Sequence, residues 1–152
     1  KESYNLNDFE EFLPGVTFVQ DNESKSTKGV LRGLHFQHSP HAQAKLIRVI
    51  QGSIWDVAVD IRPESSTFKQ FCFVELTAEN HCQFFVPRRF AHAFLVTSEI
   101  TIVQYKTDIY YHPASDAGIH PHDPDLNIPW PLPLDEHILS EKDLCLPFLS
   151  NM

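Results

Sequence analysis

The sequence is poor in the features that hold ligands through the backbone. It has five glycines in 152 residues. None builds a Gly-rich phosphate loop, so a nucleotide would have to be held by side chains. Its three cysteines, Cys72, Cys82 and Cys145, show neither a pairwise framework nor metal-ligand spacing. They are expected as reduced thiols packed like small apolar residues, as in a cytoplasmic protein. Basic residues are scarce, 12 Lys+Arg against 20 Asp+Glu, for a net charge of −8. That balance excludes a nucleic-acid partner or an anionic membrane surface, yet permits a local positive cluster around a small anion. No apolar run approaches the ~20 residues of a membrane helix, and no signal-peptide pattern is present. A cytoplasmic location without a membrane partner is therefore expected.

What is abundant is the material of strands. Twelve Phe, two Trp and four Tyr accompany many Val and Ile. Residues 53–61 (S-I-W-D-V-A-V-D-I) alternate with period two. Trp55, Val57, Val59 and Ile61 share one face. Ile54, Asp56, Ala58 and Asp60 share the other, whose two carboxylates suit a polar cavity. Further strands are predicted at 45–50, 71–76, 83–86, 91–96 and 101–107, with turns at 51–52, 78–80 and 87–89. Short strands at close spacing indicate an all-β barrel or sandwich. Residues 6–13 predict a short helix capped by Asn7. From Pro113 onward seven prolines occur, which predicts ordered loop with one helical turn near 140–143. Its Trp130, Leu132, Leu134 and Leu139 should pack it onto the barrel.

The chemistry concentrates in residues 29–45, G-V-L-R-G-L-H-F-Q-H-S-P-H-A-Q-A-K. Arg32, His35 and Lys45 stand among apolar strand residues. Three ionisable groups on one buried surface must be solvated or paired. The economical reading is a charged cavity facing an anionic or oxyanion-forming ligand, with His35 as candidate base. Such a histidine wants a carboxylate to fix its tautomer, and spacing does not say which. Tyr105 is a candidate acid, His92 a candidate site residue, and Tyr110-Tyr111 a surface for a flat ring. His35, His38 and His41 are interrupted by Ser39-Pro40. His120-x-His122 has no evident carboxylate or histidine partner, so no metal site is expected.

Taken together, Q-D-N (20–22), G-V-L-R-G-L-H-F-Q (29–37), A-K-L-I-R-V (44–49), G-S-I-W-D-V-A-V-D-I-R (52–62), P-R-R-F-A-H-A-F-L-V (87–96), Y-K-T-D-I-Y-Y (105–111), D-P-D-L-N-I-P-W-P (123–131) and L-S-E-K-D (139–143) resemble the dTDP-4-dehydrorhamnose 3,5-epimerase family of cupins. The resemblance spans about residues 3–147. It implies an all-β cupin jelly-roll barrel with short flanking helices and a Pro-rich C-terminal segment, one domain over residues 1–152. It further implies a homodimer that needs neither metal nor organic cofactor. The implied activity is epimerisation of a dTDP-4-keto-6-deoxy sugar at C3 and C5, in L-rhamnose biosynthesis. By the same resemblance His35 falls on the catalytic base and Asp143 on its carboxylate partner. Lys45 and Arg32 fall on cations beside the keto oxygen. Tyr105 falls on the general acid, His92 on a ligand contact, and Tyr111 on a tyrosine that stacks on thymine. Gln20, Asp21, Asn22, Asp116 and Lys142 fall on nucleotide or sugar contacts. The alternatives are an epimerase acting at C3 or C5 alone, a related ketoisomerase, or a non-catalytic cupin.

Several positions depart from the family pattern. Its opening strand D-x-R-G-x-F, whose arginine contacts phosphate, is represented only by Glu2, so the domain is read as lacking that strand. P-E-G-F becomes P-R-R-F, with Arg88 and Arg89 read either as a solvated turn or as added phosphate affinity. Ala44 replaces glycine and Trp55 replaces phenylalanine, and both changes are sized to narrow a cavity.

Overall fold

Period-two sequence becomes two packed sheets. The computed structural model describes residues 2–152. Its strands are β1 (Gln20–Thr27), β2 (Leu31–Gln37), β3 (Lys45–Gln51), β4 (Ser53–Asp60), β5 (Phe71–Thr77), β6 (Gln83–Val86), β7 (Phe90–Val96), β8 (Ile100–Thr107) and β9 (Asp116–Gly118). The first sheet has the order β1-β8-β3-β6 and the second β5-β4-β7-β2-β9. Every pairing between these strands is antiparallel. This is the expected jelly roll with one short strand added at an edge. The helices are α1 (Leu6–Glu10) and α2 (Glu141–Leu144). No helix among the described residues is long and apolar enough to cross a membrane.

Two apolar clusters hold the layers together. One lies between the sheets and includes Ile47, Val49, Ile54, Val96 and Val103, all buried. The other lies on the outer face of the second sheet and includes Leu34, Phe36, Val57 and Val59. The Pro-rich segment covers that outer face with Leu126, Ile128, Trp130 and Leu149. Buried Asp123 fastens it, accepting from the backbone N–H of Asp125, Leu126 and Leu149. The segment therefore packs onto the barrel, but of the four residues expected to hold it only Trp130 joins this cluster, and Leu134 is 65% exposed; it also contains β9, which its prolines concealed.

Local details differ from the sequence reading. The first helix stops at Glu10 and is capped by Asn5, whose side chain accepts from Asn7 N–H, so the cap is not Asn7. No residue of this helix is buried, which leaves it only local stabilisation. The three cysteines are free as expected but exposed, so they do not pack as core residues. Trp55 lies on the outer face, stacked on Phe73 at 4.4 Å, and does not narrow the inter-sheet space.

One irregularity shapes the site. In β2, Arg32 pairs with Phe94 and His35 with His92, so β2 spends one residue more than β7 between the two pairs. This is a β-bulge. At Gly33 a Cβ would lie 2.5 Å from both Ala93 Cβ and His92 O. We expect Gly33→Ala to cost about 1–3 kcal/mol through overpacking, read as a lower urea midpoint. An unchanged midpoint would show that the bulge can relax around a side chain.

Candidate active site

Strict alternation would set Arg32 beside Leu34 and Phe36, on the outer face. The bulge re-phases the strand and turns Arg32 to the same side as His35. Between the sheets the apolar core then gives way to a charged hollow of about 110 Å³, lined by Ser24, Arg32, His35, Lys45, His92, Phe94 and Tyr105. β1, β3 and β8 supply Ser24, Lys45 and Tyr105; β2 and β7 supply the rest. It adjoins two more hollows that share His35. One, of about 160 Å³, opens past Gln43, Tyr111, Asp116 and Lys142. The other, of about 400 Å³, runs along Arg32 to Ser140 and Asp143.

Asp143 reaches His35 across 108 residues of sequence. Ser140 caps α2 by accepting from the Asp143 N–H at 3.1 Å, as S-x-x-D predicts. Leu146, just beyond α2, packs where a Cβ on Gly118 would clash, and Gly118 pairs with His35. The Asp143 carboxylate, 4% exposed, meets His35 Nε2 at 2.5 Å. Burial pushes the Asp143 carboxyl up. The His35 hydrogen bond and charge, Ser140 and Lys142 outweigh it and hold the group below the usual carboxylate range. A neutral His35 that donates through Nε2 leaves its lone pair on Nδ1.

His92, directly across the ladder from His35, has a pair of its own. Its Nε2 meets Asp56 Oδ1 at 2.6 Å, and Asp56 is fully buried. The other oxygen, Asp56 Oδ2, finds no hydrogen-bond partner among the described residues. Burial pushes the Lys45 ammonium down to about 8, while the charges of Asp56 and Asp116 pull it upward. Burial raises Tyr105, and the Arg32 charge opposes this. Tyr105 is therefore a protonated phenol at neutral pH. Arg32 is oriented by Ser26, whose Oγ accepts from Nε and Nη2 at 3.3 and 3.0 Å.

The mouth carries a further group. Tyr111 is half-exposed, and its hydroxyl donates to Asp116 Oδ2 at 3.2 Å. Lys142 Nζ also donates to Asp116 Oδ2. Gln20 and Asn22 share a face of β1 with the register partner Tyr105. Gln20 donates to Asn22 Oδ1 and accepts from the Tyr111 N–H.

Nine of the thirteen singled-out residues, His35, Asp143, Lys45, Tyr105, Arg32, His92, Tyr111, Asp116 and Lys142, line these three hollows. Gln20 and Asn22 adjoin them. Asp21 does not: it points to the opposite face of β1 and pairs with Lys106 at 2.7 Å. Glu2 is exposed and accepts from the Asn5 side chain. Arg88 and Arg89 are engaged, Arg88 with Asp108 at 2.8 Å and Arg89 with Glu64 at 2.5 Å. Ala44 is buried, its N–H donating to the same Asp108. His122 has acquired a partner, His137, at 2.8 Å. Among the described residues no group of three or more His, Cys, Asp or Glu is placed to hold a metal ion. Period-two alternation places Asp56 on an inward face but carries no sign of its pairing with His92. Nor does it mark Ser26, Gln37 and Gln43, which are ordinary polar residues in strands or loops.

The sequence and the double-sheet barrel that carry this cavity both match known proteins. The family model described as dTDP-4-dehydrorhamnose 3,5-epimerase matches residues 1–151. The dTDP-4-dehydrorhamnose 3,5-epimerase of Methanothermobacter thermautotrophicus is 52% identical over 143 residues, covering 93% of this chain and 77% of that protein. The solved enzyme of that name from Elizabethkingia anophelis superposes with a TM-score of 0.94 at 50% identity, over 99% of this chain and 82% of its own. The Legionella pneumophila dTDP-6-deoxy-D-glucose-3,5-epimerase, solved with dTDP-4-keto-L-rhamnose, gives 0.93 at 48% identity, over 98% and 79%. With both the sequence and the backbone matched over nearly its whole length, the chain belongs to the dTDP-4-dehydrorhamnose 3,5-epimerase family.

Proposed function

We propose that the protein converts dTDP-4-dehydro-6-deoxy-D-glucose to dTDP-4-dehydro-L-rhamnose by inverting C3 and C5. The observation that carries this reading is the cavity in which His35, bonded to Asp143 at 2.5 Å, faces Lys45 and Tyr105. A proton beside a ketone is weakly acidic. Its removal needs a base within hydrogen-bond reach and positive charge where the enolate oxygen develops. His35 takes the proton on Nδ1, and Asp143 stabilises the imidazolium. Lys45 and Arg32 supply charge to the oxygen. Tyr105, kept protonated by burial, returns a proton from the opposite face, which inverts the carbon. Tyr111 receives the thymine, with Lys142, Asp116, Gln20 and Asn22 around the nucleotide and sugar.

The second pair, His92 with Asp56, lies on the ladder beside His35 and lines the same hollow. In this mechanism it contacts the sugar and keeps negative charge beside Lys45. The acting unit is a homodimer. The outer edge of β1, eight residues long, is unpaired among the described residues, and such an edge invites a further strand. Light scattering giving twice the chain mass would support this; the chain mass itself would oppose it.

The decisive assay is proton NMR of dTDP-4-keto-6-deoxy-D-glucose with the protein in deuterated water, with and without a coupled 4-reductase. Loss of both the C3 and the C5 signals, with dTDP-L-rhamnose formed on coupling, is expected. Exchange at one carbon alone would make the protein a single epimerase. Exchange at neither would remove the catalytic reading.

A further inference from the structure

Packing does not fix the ring of Tyr111, which is 51% exposed. The backbone behind it, however, is pinned at two successive N–H groups. Tyr111 N–H donates to Gln20 Oε1 at 3.1 Å, and His112 N–H donates to Gln37 Oε1 at 2.7 Å. Gln37 is the deeper anchor. It is the last residue of β2, 5% exposed, and its Nε2 donates to His41 O at 2.9 Å. One buried amide, satisfied at both ends, thus ties the loop after β2 to the loop after β8. The two loops then close on each other. His41 and His112 stack with centroids 3.8 Å apart and planes 3° apart, and Ser115 Oγ lies 2.8 and 3.3 Å from their Nδ1 atoms.

We infer that Gln37 is a positioning residue for nucleotide binding: its side-chain amide holds the backbone at His112, next to the Tyr111 N–H that Gln20 holds, so that the Tyr111 ring stands preformed at the mouth of the cavity. The inference rests on the proposed function in one respect, that Tyr111 receives a nucleobase. The physical reason is entropic. A half-exposed ring on an unanchored backbone must be ordered at the moment of binding, and a ring on an anchored one has been ordered by folding. Buried hydrogen-bonding groups are costly to leave unpaired, so the amide has no equivalent alternative to its two loop partners. Gln37 borders the hollow that Tyr111 shares with Lys45 and His35, but both ends of its amide are engaged by the loops, so it acts by holding them.

The test uses Gln37→Met, which keeps the side-chain length and removes both hydrogen bonds, and Gln37→Ala as a second variant. In the protein alone, hydrogen exchange at the Tyr111 and His112 amides should accelerate in both variants, while exchange in β4 and β7 stays slow. With dTDP as probe, the dissociation constant should rise about five- to thirtyfold, the factor set by leaving one residue's backbone to be fixed on binding. In a Tyr111→Ala background the same Gln37 substitution should change dTDP binding less than twofold, because the two residues act as one unit. A general structural defect would instead weaken binding equally in both backgrounds and accelerate exchange throughout the sheet; either result overturns the inference. Unchanged exchange at Tyr111 and His112 overturns it too. If the unsubstituted protein fails to bind dTDP, the proposed function fails, and the exchange measurement still decides whether Gln37 holds the segment.

Discussion

His35→Asn is expected to abolish exchange of the sugar's α protons with deuterated solvent on the time scale of the unsubstituted enzyme and to lower kcat by about 10²–10⁴, the usual contribution of a positioned base. The substitution is chosen for Asp143. That carboxylate is 4% exposed and depends on the histidine for its close hydrogen bond. Removing the side chain outright would strand a buried charge and confuse a folding defect with a chemical one. Asparagine keeps a donor near Asp143 and cannot accept the proton. The neighbouring groups do not replace His35 as base. Tyr105 is pushed up by burial and holds its proton at neutral pH. Lys45 is largely an ammonium below about 8. His92 is the one competitor, a second imidazole in the same hollow with its own carboxylate. The paired experiment is therefore His92→Asn. If His35 is the base, exchange vanishes in the first variant and survives, slowed, in the second. If exchange survives in His35→Asn and vanishes in His92→Asn, the two roles are reversed.

How far the site could be read from sequence depended on which face each strand turns inward. β4 was legible because Ile54 and Ala58 on one side and Val57 and Val59 on the other all enter apolar clusters. β1 was not. Its inner positions, Gln20, Asn22, Ser24 and Ser26, face the cavity end of the barrel, so the hydrophobic alternation that marks a strand is absent. β9 is three residues long and sits among prolines. The common orientation of Arg32 and His35 was beyond periodicity, because residues three apart on a regular strand face opposite ways; the bulge at Gly33 reverses that. The partners of the two histidines lie 108 and 36 residues away. Spacing cannot connect such distances, and only family resemblance pointed to Asp143. Asp21 shows the converse limit. It sits between Gln20 and Asn22 in a motif read as one unit, yet strand alternation turns it outward to Lys106.

Replacing Lys45 should remove both rate and pH dependence. In the unsubstituted enzyme, kcat/KM should fall above about pH 8, roughly tenfold per pH unit, because the free-enzyme profile reports groups that must be in one protonation state. The direction follows from burial. Desolvation disfavours the ammonium and lowers Lys45 to about 8, against the upward pull of Asp56 and Asp116. Below that value the cation faces the developing enolate; above it a neutral amine does. Tyr105 cannot produce this limb, since burial moves the phenol above its ordinary value near 10. Lys45→Met should lower kcat by about 10²–10³, typical of deleting one preorganised charge or donor, and the alkaline limb should disappear with it. Lys45→Arg separates charge from geometry. The guanidinium stays protonated throughout the accessible range, so the limb near 8 should vanish even where misplacement of the larger group keeps the rate low. A limb that persists near 8 in both variants would belong to another group, and the enolate charge would then rest on Arg32 alone.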